Sequence, residues 1–337
     1  MFDLIEKHGI ECEPVLAGTL HCAVGRGGLE EIEARAEQWQ RRGAPVTVLD
    51  AEETRRKLGG GDYSGALLDR RAGTIQPLSY LRGLAQAALA AGVRIFTQSA
   101  VLTASDGGSR WKVDSTNGSV WADWVIVTTD AYARGPWSRV RQEQIHLPYF
   151  NFATHPLSDS HRASILPERQ EAWDTKQVLS SFRFDRAGRL VFGSIGALEG
   201  TGAAVHRAWA IRSLRKLFPQ LARVGFEAGW FGLTRYDLGQ FAALSQAGSQ
   251  FLCFSGYNGR SLAAFSHLMC LATLQKKTFR FQSLQLRSRF RCRVGGPLSH
   301  RLSSRSFDRG PAPLEQITGL SSIVMTSYRK AACPRAA

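Results

Sequence analysis

From Pro77 onward the apolar residues Leu78, Leu81, Ala85, Ala88 and Leu89 recur at three- and four-residue spacing. That spacing is one face of a helix, with proline in its first turn and Gly92 just past its end. Val93, Ile95 and Phe96 predict a short strand. Residues 111–114 and 119–121 predict a hairpin around Ser115-Thr116-Asn117-Gly118, because Asn-Gly supplies the positive backbone angles of a tight turn. The run Trp124-Val125-Ile126-Val127-Thr128-Thr129 is apolar on both faces, the pattern of a strand covered on both sides.

Residues 1–8 read as the end of a helix stopped by Gly9. A chain that opens inside a helix, without a cap or a preceding strand, reads as cut from a longer one. Residues 18–24 predict a strand. Leu29, Ile32, Ala36 and Trp39 line a helix that ends in Arg41-Arg42-Gly43. Residues 46–49 predict another strand, and Asp50 with Glu53 a capping box for a helix through Leu58. Gly59-Gly60-Gly61 reads as a flexible surface turn and not a phosphate cradle, since no strand precedes it and no Lys-Ser/Thr follows. Further on, residues 144–154 predict a long strand, and 180–184 with 189–193 a hairpin. Val205, Ala208, Ile211, Leu214 and Leu217 mark a helix closed by Pro219, and strands follow over 226–233 and 250–254.

The net charge of +15 suggests nucleic acid until it is mapped. Residues 276–337 hold thirteen Lys and Arg against Asp308 and Glu315, whereas residues 1–275 hold thirty basic and twenty-six acidic side chains. The body is therefore close to neutral. The tail is rich in Ser and Arg, has neither helical nor strand periodicity, and reads as disordered. It carries no RNA- or DNA-binding motif, so a nucleic-acid partner is not expected. No apolar run approaches the roughly 20 residues needed to cross a bilayer, and the charged start is no secretory signal. Cysteines 12, 22, 253, 270, 292 and 333 form no Cys-x-x-Cys pair. They read as reduced thiols of a cytoplasmic protein. His146, His155 and His161 lack metal-ligand spacing, and no metal is expected.

The strongest candidate for chemistry is Gly256-Tyr257-Asn258-Gly259-Arg260, at the end of the strand over 250–254. Its glycines let backbone approach a ligand closely, and backbone N–H groups there suit an electron-rich group. An ordinary Asn-Gly turn would read the same way. Further stretches carry a resemblance: Gly18-Thr19-Leu20-His21, Leu67-Leu68-Asp69-Arg70-Arg71-Ala72-Gly73-Thr74-Ile75-Gln76-Pro77, Gly83-Leu84-Ala85, Gly92-Val93-Arg94-Ile95, and Ala122-Asp123-Trp124-Val125-Ile126-Val127 with Ala131-Tyr132. In their order and spacing, from Met1 to about Arg260, the chain resembles the D-amino-acid-oxidase superfamily of FAD-dependent oxidoreductases. Within it the chain is similar to the branch of gamma-glutamylputrescine oxidase and the glycine and sarcosine oxidases.

The resemblance implies a mixed α/β (α+β) fold, an incomplete two-dinucleotide flavin domain interleaved with a mixed-sheet substrate domain. That domain would span residues 1–275, with flavin-layer pieces at about 73–132 and 250–275 and substrate-layer pieces at about 12–70 and 140–235. The implied activity is FAD-dependent oxidation of the carbon–nitrogen bond of a small amine or amino acid, with the hydride passing to flavin. Carried over from the family, Val101 would contact the adenine side, and Thr128 and Thr129 would border the dinucleotide. Gly256, Tyr257, Asn258 and Gly259 would lie against the flavin ring. Arg260, at its edge, and Tyr149 would bind substrate, although from the residues alone a core tyrosine is the better reading of Tyr149. No catalytic residue emerges.

Three departures stand out. The family's opening Gly-x-Gly-x-x-Gly turn, which holds the FAD pyrophosphate, is absent from this sequence. Thr234-Arg235-Tyr236-Asp237-Leu238-Gly239 replaces a Thr-x-Asp-x-x-Pro stretch, and Ser261-Leu262-Ala263-Ala264-Phe265 departs from the family's apolar helix. These departures predict a truncated chain that has lost its first unit and with it activity, followed by a tail that reads like out-of-frame translation. A non-catalytic remnant of the fold is the alternative, and a basic nucleic-acid-binding protein the third reading.

Overall fold

The computed structural model describes residues 1–142, 145–236, 243–245 and 251–255. The opening helix α1 (Phe2–His8) is stopped by Gly9 at φ 58°, in the left-handed region where glycine alone carries no Cβ penalty. Strand β1 (Thr19–Ala23) leads directly into α2 (Gly25–Gln40), which begins before its first apolar position. Ile32 and Ala36 of α2 pack with Leu29 and Trp39 on Ala23, Val46 and Leu67. After β2 (Val46–Leu49), the capping box of α3 (Ala51–Leu58) forms as expected. Glu53 N–H donates to the Asp50 carboxylate at 2.8 Å, and Asp50 N–H donates back to Glu53 at 3.2 Å.

Strand β3 (Gly65–Asp69) leads to α4 (Pro77–Ala90), with Pro77 at its first position and the Gln76 side chain accepting from Ser79 N–H. Although its sequence is amphipathic, no residue of α4 is buried. Residues 93–96 are not the expected strand; Phe96 is 51% exposed, and no described strand runs beside them to supply a ladder. The ladder begins at β4 (Val101–Asp106), which pairs with β5 (Trp111–Ser115), and β5 with β6 (Gly118–Ala122). In that hairpin the turn is Thr116-Asn117. Asn117 keeps a negative φ, contrary to expectation, and Gly118 alone is positive, at 150°. β7 is only Val125–Val127, with Trp124 43% exposed and Thr128 exposed.

Two short 3₁₀ turns and α5 (Ser138–Gln142) precede β8 (Ile145–Thr154) and α6 (Asp159–Ser164). Strands β9 (Glu171–Asp174), β10 (Ser180–Phe184) and β11 (Leu190–Ile195) lead to α7 (Thr201–Leu217). The described chain closes with β12 (Phe226–Tyr236), β13 (Ala243–Ser245) and β14 (Phe251–Ser255).

Eight strands form one mixed sheet in the order β12-β8-β11-β10-β9-β1-β3-β2. Two three-stranded sheets, β13-β14-β7 and β4-β5-β6, accompany it. The main core fills one face of the large sheet. Phe150, Phe152, Phe182, Phe184 and Phe192 meet α7 through Ala210, Leu214 and Leu217, and Phe218 closes the end. Each such phenylalanine contributes on the order of 1.5–3 kcal/mol through burial. The Gly59-Gly60-Gly61 turn is no flexible surface loop. A Cβ on Gly59 would stand 1.6 Å from the Ser164 carbonyl oxygen, and one on Gly60 2.2 Å from that of Leu217. Glycine is required there for backbone-to-backbone packing.

Candidate functional site

Alternation along β8 separates two jobs. Phe150 and Phe152 face the core, and Tyr149 and Asn151, between and beside them, point to the opposite face. The ladder registers extend that second face across the sheet. His21 pairs with Trp173, Trp173 with Ser181, Ser181 with Gly193, Gly193 with Asn151, and Asn151 with Trp230. At one end α2 covers the face and holds His21, where Arg35 Nη1 donates to His21 Nδ1 at 2.8 Å and the imidazole stacks on Trp173 at 5.4 Å. At the other end Trp230 is 43% exposed.

Gly193 makes the hollow of this row. A Cβ there would lie 2.6 Å from Asn151 Oδ1, 2.8 Å from Tyr149 Cε1 and 2.9 Å from Ser181 Oγ. The hydroxyls of Tyr149 and Ser181 bond to each other at 2.7 Å across it. On the opposite face of β1 lies Cys22, whose thiol is pushed far up by burial and further by the Asp174 carboxylate.

The turn that follows β7 of the small sheet reaches this face. β7 and β14 run parallel, with Val125 opposite Phe251 and Val127 opposite Cys253. Thr128 and Thr129 therefore leave β7 at the carboxyl end of a parallel pair, where α/β sheets take ligands. The Thr129 Oγ1 is buried without a hydrogen-bond partner among the described residues. An unmade bond of that kind costs about 1–3 kcal/mol, which a hydrogen-bonding ligand would offset. Asp130 follows at φ 43° and is buried. One turn later the Tyr132 hydroxyl accepts from Leu233 N–H at 2.7 Å and lies 3.1 Å from where a Gly232 Cβ would be. Gly232 is the ladder partner of Tyr149, so Tyr132 and Tyr149 share one face.

Of the site residues expected from sequence, Val101 packs with the β7–β14 cluster, and Thr128 and Thr129 lie at the end of the same layer. Tyr149 is on the neighbouring face of the large sheet. It is half-buried and bonded to Ser181, not enclosed in the core. Gly256, Tyr257, Asn258, Gly259 and Arg260 lie outside the described residues. The residues present fit an extended ligand with hydrogen-bonding groups at the end of β7. Sequence reasoning missed His21, Asn151, Trp173, Ser181, Gly193 and Trp230. The alternation Tyr149-Phe150-Asn151-Phe152 was the available signal.

A mixed sheet with one helix-covered face and one open polar-aromatic face, set beside a small parallel layer, defines a flavoenzyme-type architecture. The chain belongs to the DAO family of FAD-dependent oxidoreductases, which matches residues 1–266. It is 29% identical to the gamma-glutamylputrescine oxidoreductase of Escherichia coli, over 78% of this chain and 62% of that protein. It is 27% identical to a probable oxidoreductase, OrdL, of Haemophilus influenzae, over 77% and 60%. The chain thus spans less than two thirds of the length of these relatives. Among solved structures it is similar to glycine oxidase from Geobacillus kaustophilus (TM-score 0.67, 17% identity, 83% of this chain and 76% of that one). L-proline dehydrogenase from P. horikoshii gives a TM-score of 0.68 at 14% identity, over 82% and 76%. The family resemblance and the mixed α/β fold expected from the sequence both hold. Among the described residues no helix is long and apolar enough to cross a membrane, and Cys12, Cys22 and Cys253 are free thiols.

Proposed function

We propose that this chain is an FAD-dependent oxidoreductase acting on the carbon–nitrogen bond of a small amine or amino acid, with the substrate lying on the open face of the large sheet. One observation carries the reading: the row from Trp173 through Ser181, Gly193 and Asn151 to Trp230, tied through Tyr132 and Leu233 to the end of β7. Bound FAD supplies the hydride acceptor. The protein's part is to bind and orient. Asn151 offers both a donor and an acceptor to an amine or carboxyl group. The paired Tyr149 and Ser181 hydroxyls fix the hollow above Gly193, and Trp173 and Trp230 supply apolar walls that exclude water.

Val101, Thr128, Thr129 and the segment Gly256, Tyr257, Asn258 and Gly259 would border the cofactor, with Arg260 beside Tyr149 at the substrate. The near-neutral charge of residues 1–275 supports a small-molecule partner over nucleic acid, and the free thiols support a cytoplasmic setting. The test is visible absorbance of the full chain after mixing with FAD and desalting, followed by anaerobic addition of amines. The relative's name makes a γ-glutamylated diamine the first to try. Retained flavin that bleaches with an amine, and a raised KM in Asn151→Leu, are the expected results. A colourless protein overturns the reading and favours a non-catalytic member of the fold, since the sequence contains no Gly-x-Gly-x-x-Gly turn.

A further inference from the structure

Toward the β10–β11 turn, two residues along β10 from Ser181, the segment Glu13, Pro14 and Val15, the residues leading into α4 and the turn itself line a cleft of about 230 Å³. Three arginines line it: Arg169, Arg183 and Arg186. Arg169 is anchored, with Nη2 donating to the Asp185 carbonyl at 3.1 Å and the guanidinium 5.9 Å from the centroid of Phe184, yet its Nε is buried without a partner among the described residues. Arg183, half-buried, and Arg186, exposed, make no hydrogen bond or ion pair with any described residue.

Two carboxylates share the cleft. Asp185 is already occupied: its Oδ1 accepts from Arg189 N–H at 2.8 Å, and its Oδ2 lies 3.6 Å from Arg189 Nη1. Glu13 makes no hydrogen bond or ion pair with any described residue. Three guanidinium groups therefore face one uncommitted carboxylate, an imbalance that a ligand oxyanion would correct through charge-assisted, bidentate hydrogen bonds. Backbone geometry adds to the case. Glu13 at φ 53° and Arg169 at φ 65° are two of five non-glycine residues with positive φ among the described residues. Such conformations persist only where the surroundings enforce them, and they concentrate at ligand sites.

We propose that this cleft binds a small oxyanion, the carboxylate or phosphate of a metabolite-sized compound. Arg183 and Arg186 clamp it and Arg169 forms the fixed wall. Glu13 opposes it and so limits how much negative charge the site accepts. The site needs neither flavin nor the row around Gly193, so its test stands apart from the oxidoreductase reading.

The experiment is calorimetric titration of the full chain at low salt with inorganic phosphate and, separately, with succinate. Phosphate should displace bound succinate, as one shared site requires. Arg183→Gln and Arg186→Gln should each weaken binding roughly tenfold, the loss of one charge-assisted bond. Arg186→Gln is an exposed change that leaves folding intact. Glu13→Gln should tighten phosphate several-fold, which binding to the basic tail cannot reproduce. Absence of binding heat, or binding indifferent to all three substitutions, overturns the proposal.

Discussion

Replacing Gly193 by alanine tests the geometry of the open face directly. The new methyl would meet three side-chain atoms at 2.6, 2.8 and 2.9 Å, each well inside ordinary contact. All belong to side chains, so the strands need not move, but Tyr149 and Ser181 must part and their 2.7 Å bond is lost. That bond accounts for about 1 kcal/mol, and overpacking adds about 1–3 kcal/mol. A destabilisation of about 2–4 kcal/mol follows. The assay is equilibrium urea unfolding monitored by tryptophan fluorescence, for which Trp173 and Trp230 stand on the same row. The discriminating measurement is a double-mutant cycle with Tyr149→Ala, which removes both the hydroxyl and the ring atom that clashes. Gly193→Ala should then cost at least about 1 kcal/mol less than in the parent, as contacting residues do when they couple. Additive effects within about 0.3 kcal/mol would refute the arrangement of Tyr149, Ser181 and Gly193.

Asp50→Ala removes the half of the α3 capping box that accepts from Glu53 N–H and should cost about 1 kcal/mol in the same unfolding assay, and Glu53→Ala, which removes the other half, should cost less. Burial pushes the Asp69 carboxyl up, but hydrogen bonds from the Arg71 side chain and backbone outweigh it and hold the group below the usual carboxylate range. A depressed value means stability that is present above the unfolded pKa of about 3.9 and lost as pH falls through the folded one. The stability gap between the parent and Asp69→Asn should therefore narrow as pH drops below about 4. Cys22, buried and raised far above an ordinary thiol, should resist alkylation in the native chain and react only in urea, as peptide mapping would show.

Where the sequence predicted well, the signal was local. The capping box at Asp50, Pro77 at the start of α4 and the glycine stop after α1 all depend on residues within one turn of one another. The predictions that failed needed information from across the chain. Val93, Ile95 and Phe96 have strand composition, but composition supplies no neighbouring ladder. Gly59-Gly60-Gly61 looks flexible from its own residues, and only the approach of Ser164 and Leu217 shows why glycine stands there. The functional row is the extreme case. His21, Trp173, Ser181, Gly193, Asn151 and Trp230 come from six strands and become neighbours only through pairing register, so no spacing along the chain announces them. Tyr149 entered through the family resemblance, and its neighbours on the open face did not.

The two faces of the large sheet explain how one set of strands both holds the fold and carries the site. Phe150, Phe152, Phe182 and Phe192 alternate with Tyr149, Asn151, Ser181 and Gly193 along β8, β10 and β11, so each of these four is flanked in sequence by a core phenylalanine. Slipping any of these strands by one residue would turn a phenylalanine toward solvent and a polar group into the core. The register that aligns the row is thus enforced by packing on the other side, and the row reaches its geometry before any ligand arrives. Substitutions on the open face leave the aromatic core in place, which frees that face to carry chemistry. At β12 the same register sets Gly232 beside Tyr149, and the missing side chain leaves room for the Tyr132 hydroxyl to bond Leu233 N–H. The hydrophobic core on one face thereby determines where the small parallel layer can meet the other.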